Sequence, residues 1–309
     1  MPKVSVIIPN YNHARFLDER LSSVFGQTFQ DFEVIILDDC STDGSRDVIE
    51  KYRDNPRVSR IVYNEQNSGS SFRQWDKGIS LAEGELIWIA ESDDSADPKL
   101  LETLVAEFDR DPKCVLAFCS ALLTDPEGKS IGIHPYHKAL GGWENGAGEG
   151  FIRKHLCKDN SVVNASGALF RKSAFVNLPA FADPAYKSFK GVGDWLFWIG
   201  IASQGNVAFR PNAMNRFRQH GGNTTSTLAK NGRGIIEAAC LFGILEREKY
   251  ISSLQGLNIK ASNTAIIKYL RKDLDDTTRA ECLRAWDAGN PVISLLAAIK
   301  RIIHRKYRG

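Results

Sequence analysis

Apolar residues in the first hundred positions form short β-branched runs separated by stretches of helical period. Residues 4–8 (Val-Ser-Val-Ile-Ile) are a nearly continuous apolar run closed by Pro9-Asn10, the pattern of a buried strand. Phe16, Leu17, Leu21, Val24 and Phe25 then recur at helical spacing, with Asn12 placed to cap that helix. Residues 32–37 predict a second strand running into Asp38-Asp39-Cys40-Ser41-Thr42-Asp43, where Ser41 or Asp43 can cap the next helix. A third strand at 61–63 leads to a loop over 64–71 and a helix through Trp75 and Ile79. A fourth, over 86–90, ends in Glu91-Ser92-Asp93-Asp94.

Strand–helix alternation with near-continuous apolar strands predicts an α/β fold: a mostly parallel sheet with flanking helices on both faces. Such sheets take ligands at the carboxyl ends of their strands, where these polar clusters fall. Beyond residue 120 the pattern loosens. Residues 124–150 read as an extended loop, 162–170 as a strand, the segment from Asp194 as a helix, and 206–210 as another strand. From about 232 the period is helical, broken at Gly289-Asn290-Pro291, so a helical C-terminal extension is expected.

Composition changes this picture little, but charge does. With 43% apolar and 25% charged residues in 309, the chain has an ordinary globular make-up. Its net charge of +3 divides into −4 over residues 1–220 and +7 from Gly221 onward, with no acid after Asp287. An acidic body with a basic tail argues against a nucleic-acid partner, whose basic surface is spread over a fold. Six cysteines without a CxxC pair, and no recognisable signal peptide, point to reduced thiols in a cytoplasmic protein. No apolar run approaches the ~18–20 residues that span a bilayer, so the expectation is a soluble or peripheral protein.

Two constellations could carry chemistry before any relative is considered. Carboxylates crowded into residues 91–94 repel one another unless a cation or solvent intervenes, so they form either a Mg²⁺ or Mn²⁺ site for a diphosphate or a solvated helix-capping turn. Asp39, on the same rim, can accept from a ribose hydroxyl or a base N–H. Neither GxGxxG nor GxxxxGK[ST] occurs, so dinucleotide and P-loop sites are absent.

In order, Val-Ser-Val-Ile-Ile-Pro-Asn-Tyr-Asn (4–12), Ile-Leu-Asp-Asp-Cys-Ser-Thr-Asp (36–43), Asn67-Ser68-Gly69 and Glu-Ser-Asp-Asp (91–94) resemble the inverting glycosyltransferase family 2 with the GT-A fold. The resemblance implies a glycosyltransferase domain over 1–225, with a nucleotide-binding half (1–120) and an acceptor half (121–225), followed by the helical extension 226–309. It implies that Pro9, Asn10, Tyr11, Asp39 and Arg73 contact a nucleotide-sugar donor. The family's DxD motif maps onto Glu91-Ser92-Asp93, with Asp93 on the metal and Glu91 near ribose or metal. Asp194, in Gly193-Asp194-Trp195, matches the catalytic base and also suits a helix N-terminus. His220, in the segment 216–225, matches a residue that approaches the metal or diphosphate.

These likenesses imply a metal-dependent inverting transfer from a UDP-, GDP- or dTDP-linked sugar to a hydroxyl of a glycan or lipid-linked acceptor, in surface polysaccharide or glycoconjugate synthesis. The QxxRW motif of processive synthases is absent. A sugar nucleotidyltransferase and a catalytically silent nucleotide-sugar-binding protein remain as alternatives. At the C-terminus, Val292, Leu295, Leu296, Ile299, Ile302 and Ile303 share a helical face flanked by Lys300, Arg301, Arg305 and Lys306. That helix either lies on an anionic membrane, at the inner face of the cell membrane, or docks on the body.

Overall fold

Strand β1 (Val4–Asn10) is buried at all seven positions, because parallel neighbours flank it and helices cover both faces. It pairs in parallel with β2 (Phe32–Asp38) on one side and β4 (Leu86–Ile89) on the other, and β3 (Val58–Tyr63) extends the sheet beyond β2. The computed structural model describes residues 1–135, 140, 142–221 and 232–306, the last five by backbone alone. Across β1 and β2 the register ends on Asn10 opposite Asp38, so the two following loops emerge side by side.

The other strands are β5 (Ser95–Ala96), β6 (Cys114–Thr124), β7 (Ser130–Ile133), β8 (Asn145–Ala147), β9 (Ala168–Arg171) and β10 (Asn206–Arg218). The described residues form one ten-stranded sheet in the order β3-β2-β1-β4-β9-β6-β10-β5, with β7 on β6 and β8 on β10. The first four strands are parallel, as are β6 and β10. Strand β9 runs antiparallel between β4 and β6. Helices α1 (Ala14–Phe25), α2 (Ser45–Glu50), α3 (Ser71–Leu81) and α4 (Leu100–Arg110) connect these strands. Gly78 lets α3 approach β1, since a Cβ there would collide with the Ile7 side chain.

Four local expectations change. Asn12 does not cap α1: it sits at φ 55°, and its Oδ1 accepts from the Thr42 N–H at 2.7 Å. Asp43 takes the capping role, accepting the Ala14 N–H at 2.9 Å and the Ser45 N–H at 2.9 Å. The stretch 124–150 contains β7 and β8, whose exposed, glycine-bearing strands lack the alternation that marks a half-buried strand. The strand expected over 162–170 begins only at Ala168, because Asn164 caps a 3-10 turn at Ala165–Gly167. Strand β10 continues past Arg210 to Arg218: Pro211 has no N–H to donate, and the ladder shifts register there instead of ending.

The chain divides into two compact units. The first joins Met1–Asp183 with Phe197–His220 and holds the whole sheet. The second joins Pro184–Leu196 with the described residues after His220, so the first turn of helix α5 (Gly193–Ala202) clusters with α6 (Arg233–Arg247), α7 (Ser253–Tyr269), α8 (Asp276–Ala285) and α9 (Pro291–Lys306). Its small core gathers Ile267, Leu274, Cys282 and Trp286, and the Trp286 indole N–H donates to the Ile235 carbonyl at 3.0 Å. Helix α9 docks through Ile293 and Ala297 while Val292, Leu295 (63% exposed) and Ile299 face outward. The docking expected for this helix is therefore seen on one face, and the opposite apolar face is left exposed.

No described helix is long and apolar enough to cross a membrane. The six cysteines are free thiols. Asn223, Thr224 and Thr225, and the side chains of Ile302, Ile303, Arg305 and Lys306, lie outside the described residues.

Candidate functional site

The candidate site sits at the carboxyl rim of the first unit, where β1, β2, β4 and β10 end. After β1, the Asn10 side-chain amide donates to Asp38 Oδ1 at 2.9 Å and to Ser41 Oγ at 3.2 Å. Ser41 Oγ also accepts the Asn12 N–H at 2.9 Å. The loops after β1 and β2 are thus bonded to each other, which holds Asn12 and Cys40 at positive φ, an uncommon conformation for non-glycine residues. Pro9 belongs to buried β1, and Tyr11 stands 47% exposed beside these loops.

Asp39 is buried, and its carboxylate is taken up by protein donors: the Asn64 amide (2.6 Å), the Ser68 N–H (2.9 Å) and hydroxyl (2.7 Å), and the Gln74 amide (3.0 Å). It therefore organises the 64–70 loop. Arg73, exposed on α3, donates to the Ser68 carbonyl of that loop at 3.3 Å. The next residues of α3 point inward, and the Trp75 indole N–H donates to Glu91 Oε1 at 2.8 Å.

In the acidic turn after β4 the four residues have separate environments. Burial, and then the neighbouring Asp93, push the Glu91 carboxyl up to about 8. Ser92 is buried, and its hydroxyl lies 2.8 Å from His13 Nδ1. Burial alone would raise the Asp93 carboxyl, but the hydrogen bond from His220 and the charges of His13 and His220 hold it below the ordinary value. Asp94 is fully buried and accepts from the Asn164 amide (2.9 Å), the Ser166 hydroxyl (2.7 Å) and the Arg218 N–H (2.9 Å). Burial, followed by Asp93, raises Asp94 to about 6.

Two arginines brace this turn from below. Arg20, fully buried, donates Nε to the Glu91 carbonyl at 2.8 Å and stands 3.9 Å from Asp94. Arg218, at the end of β10, donates Nε to the Asp93 carbonyl at 2.8 Å and lies over the Phe16 ring. Two residues later, His220 Nε2 is 2.9 Å from Asp93 Oδ2. Adjacent ligands around a six-coordinate ion with bonds of ~2.1 Å are about 3 Å apart, so this pair fits a divalent cation. Ligand atoms of His13, Asp93 and His220 all lie within 4.8 Å of one another.

Asp194 belongs to the second unit. It lies in the first turn of α5, where its carboxylate accepts the Trp195 N–H at 2.8 Å. The preceding loop is held by Glu237 of α6, which accepts the N–H groups of Lys190 (2.9 Å) and Gly191 (2.7 Å) and the Arg233 guanidinium (2.8 Å).

Of the residues proposed from sequence, the fold brings Asp93 and His220 into contact across 127 positions. His13, Trp75, Arg20 and Glu237 enter only with the structure. His13 alone had a readable signal, because it lies in the short loop after β1 on the ligand-binding rim.

The chain is similar to proteins already known. A glycosyltransferase assigned to teichuronic acid biosynthesis in Bacillus subtilis, TuaG, is 35% identical over 130 residues, covering 42% of this chain and 51% of that protein. The chain spans about half or less of the length of the first curated relatives it matches. Staphylococcus aureus TarS 1-349 in complex with UDP-GlcNAc matches with a TM-score of 0.59 at 19% identity, covering 92% of this chain and 71% of that one. The mannosyltransferase PcManGT of Pyrobaculum calidifontis, in complex with GDP-Man and Mn²⁺, matches with a TM-score of 0.56 at 17% identity, covering 99% and 82%. These structures establish the GT-A fold. The family model for glycosyl transferase family 2 matches residues 5–178, more than half of the chain, and this protein belongs to that family.

Proposed function

We propose that the protein transfers a sugar, with inversion, from a nucleotide-diphosphate sugar (UDP-, GDP- or dTDP-linked) to a hydroxyl of a glycan or lipid-linked acceptor. The pathway we infer is surface polysaccharide or glycoconjugate synthesis, by analogy with TuaG and TarS. The observation that carries this reading is the Asp93–His220 pair, 2.9 Å apart on the ligand-binding rim of a family 2 sheet.

Asp93 and His220 would hold Mg²⁺ or Mn²⁺, which when bound neutralises charge on the leaving diphosphate. Ser92 and Glu91 lie beside that pair on the donor side. Pro9, Asn10 and Tyr11 form the rim against which the nucleotide rests. Asn10 is preset for this, since its amide is fixed by Asp38 and Ser41. Asp39 reaches the base or ribose by sharing an oxygen that now accepts from the 64–70 loop, with Arg73 at the entrance to the same loop. Asp194 accepts the proton of the attacking hydroxyl as general base. Its place in the first turn of α5 stabilises the carboxylate form through the helix dipole.

We place the protein in the cytoplasm, in peripheral contact with an anionic membrane through the outward stripe of α9 and its basic flank. The deciding experiment incubates the protein with UDP-, GDP- and dTDP-sugars and Mn²⁺. Nucleoside diphosphate release supports transfer. Pyrophosphate formation would identify a nucleotidyltransferase, and binding without turnover a silent binding protein. Asp194→Asn is expected to abolish turnover while leaving donor binding intact; retained turnover removes the base role.

A further inference from the structure

We propose that His13 is a third protein ligand of the cation, and that the resulting set of two imidazoles and one carboxylate makes the site favour Mn²⁺ over Mg²⁺. This rests on the metal-dependent reading above and adds a residue and a selectivity to it.

The side chain of His13 has left its local role. It occupies the N-cap position of α1 but makes no capping bond, and Asp43 satisfies the Ala14 N–H instead. The ring turns toward the acidic turn, with Nδ1 2.8 Å from the buried Ser92 hydroxyl and its edge against the His220 ring at 5.6 Å. Its backbone is held in place, because the preceding Asn12 is locked to Ser41 and Thr42 from the β2 loop. Imidazoles held this way by an outer hydroxyl are oriented ligands.

Distances agree with ligation. Bonds of ~2.1 Å place adjacent ligands about 3 Å apart and opposite ligands about 4.2 Å apart. The three candidate atoms lie within 4.8 Å of one another, close to the span of opposite ligands on one ion. Three ligands leave room for diphosphate oxygens and water. Donor chemistry then sets selectivity: Mg²⁺ prefers all-oxygen surroundings and keeps its waters, whereas imidazole nitrogen suits later divalent ions and raises affinity along Mg²⁺ to Mn²⁺.

The test measures Mn²⁺ binding without donor or turnover. Loss of the free-ion Mn²⁺ EPR signal reports affinity, and pulsed EPR of bound Mn²⁺ counts coordinated imidazole nitrogens. Wild-type protein should show two imidazole couplings, and Mg²⁺ should displace Mn²⁺ only at more than about tenfold excess. His13→Gln should show one coupling and bind Mn²⁺ at least about tenfold more weakly, with an unchanged thermal midpoint. A single coupling in the wild-type protein overturns the proposal without any variant. Wild-type Mn²⁺ affinity in His13→Gln overturns it as well. Failure of wild-type protein to bind Mn²⁺ at all, or full affinity in Asp93→Asn, overturns the cation reading itself.

Discussion

The buried Glu237 carboxylate accepts the Gly191 N–H at 2.7 Å, three residues ahead of Asp194. The same carboxylate accepts from Lys190 and Arg233, so one side chain of α6 holds the loop that leads into α5. Removing it leaves several N–H groups without their acceptor and frees the path of the chain into Asp194. If Asp194 is the general base proposed above, Glu237→Ala is expected to lower kcat by about tenfold to a hundredfold with little change in donor KM, because misplacing that base affects the reacting geometry more than donor binding. Glu237→Gln, with a single acceptor oxygen, should fall between. Steady-state kinetics with varied donor check this; a change confined to KM would contradict it.

Asp94 carries the second expectation. It is fully buried beside the fully buried Arg20 and also takes donors from Asn164, Ser166 and Arg218. Asp94→Ala removes the carboxylate that acts most strongly on the buried Arg20 and leaves several donors without their acceptor, at a cost of about 3–5 kcal/mol. Asp94→Asn, which retains one acceptor oxygen, should lose less. Urea unfolding of the two variants measures the difference.

A third concerns packing rather than polarity. A Cβ at Gly78 would collide with Ile7 in the centre of β1. Gly78→Ala should therefore destabilise by about 1–3 kcal/mol, despite alanine's better helix propensity, because Ile7 is locked in a filled core. An unchanged unfolding free energy would show that α3 can move outward.

Stability should also depend on pH through Glu33. Burial alone would raise its carboxyl, but hydrogen bonds from Ser5 and Ser59 and from the Glu83 and Gly84 backbone outweigh this and hold it below the ordinary 4.5. A carboxylate lowered in the folded state adds stability above the unfolded value, and that contribution is lost as pH falls through the folded one. Unfolding free energy should therefore drop as pH is taken below 4.5, and Glu33→Gln should flatten that part of the profile. Parallel slopes in the two proteins would assign the dependence to other groups.

The outward face of α9 supplies the last test. Val292, Leu295 and Ile299 are exposed while Ile293 and Ala297 hold the helix in place. Leu295→Gln combined with Ile299→Gln should weaken sedimentation with anionic phosphatidylglycerol vesicles and leave the thermal midpoint unchanged. Equal sedimentation would leave this face as ordinary solvated surface.

Local sequence determined the elements whose environment imposes a pattern on neighbouring residues. Strands β1, β2 and β4 are buried on both faces, so each reads as a near-continuous apolar run, with the few polar exceptions hydrogen-bonded. The acidic turn was legible because four consecutive polar residues end an apolar run abruptly, which marks the carboxyl end of a strand. Period alone could not show that β9 enters antiparallel, that β10 carries on through Pro211, or that Asn164 and Ser166 serve Asp94 instead of extending a strand.

The choice of partners at the site belongs to tertiary structure for the same reason. Asp93 meets His220 across 127 positions, and His13 meets Ser92 across 79. Hydrogen-bond partners at such separations are set by which strand ends the sheet places side by side, and strand order is not written in the period of any one segment. Residue type and spacing thus determined which groups stand on the rim, while the sheet decided which of them touch.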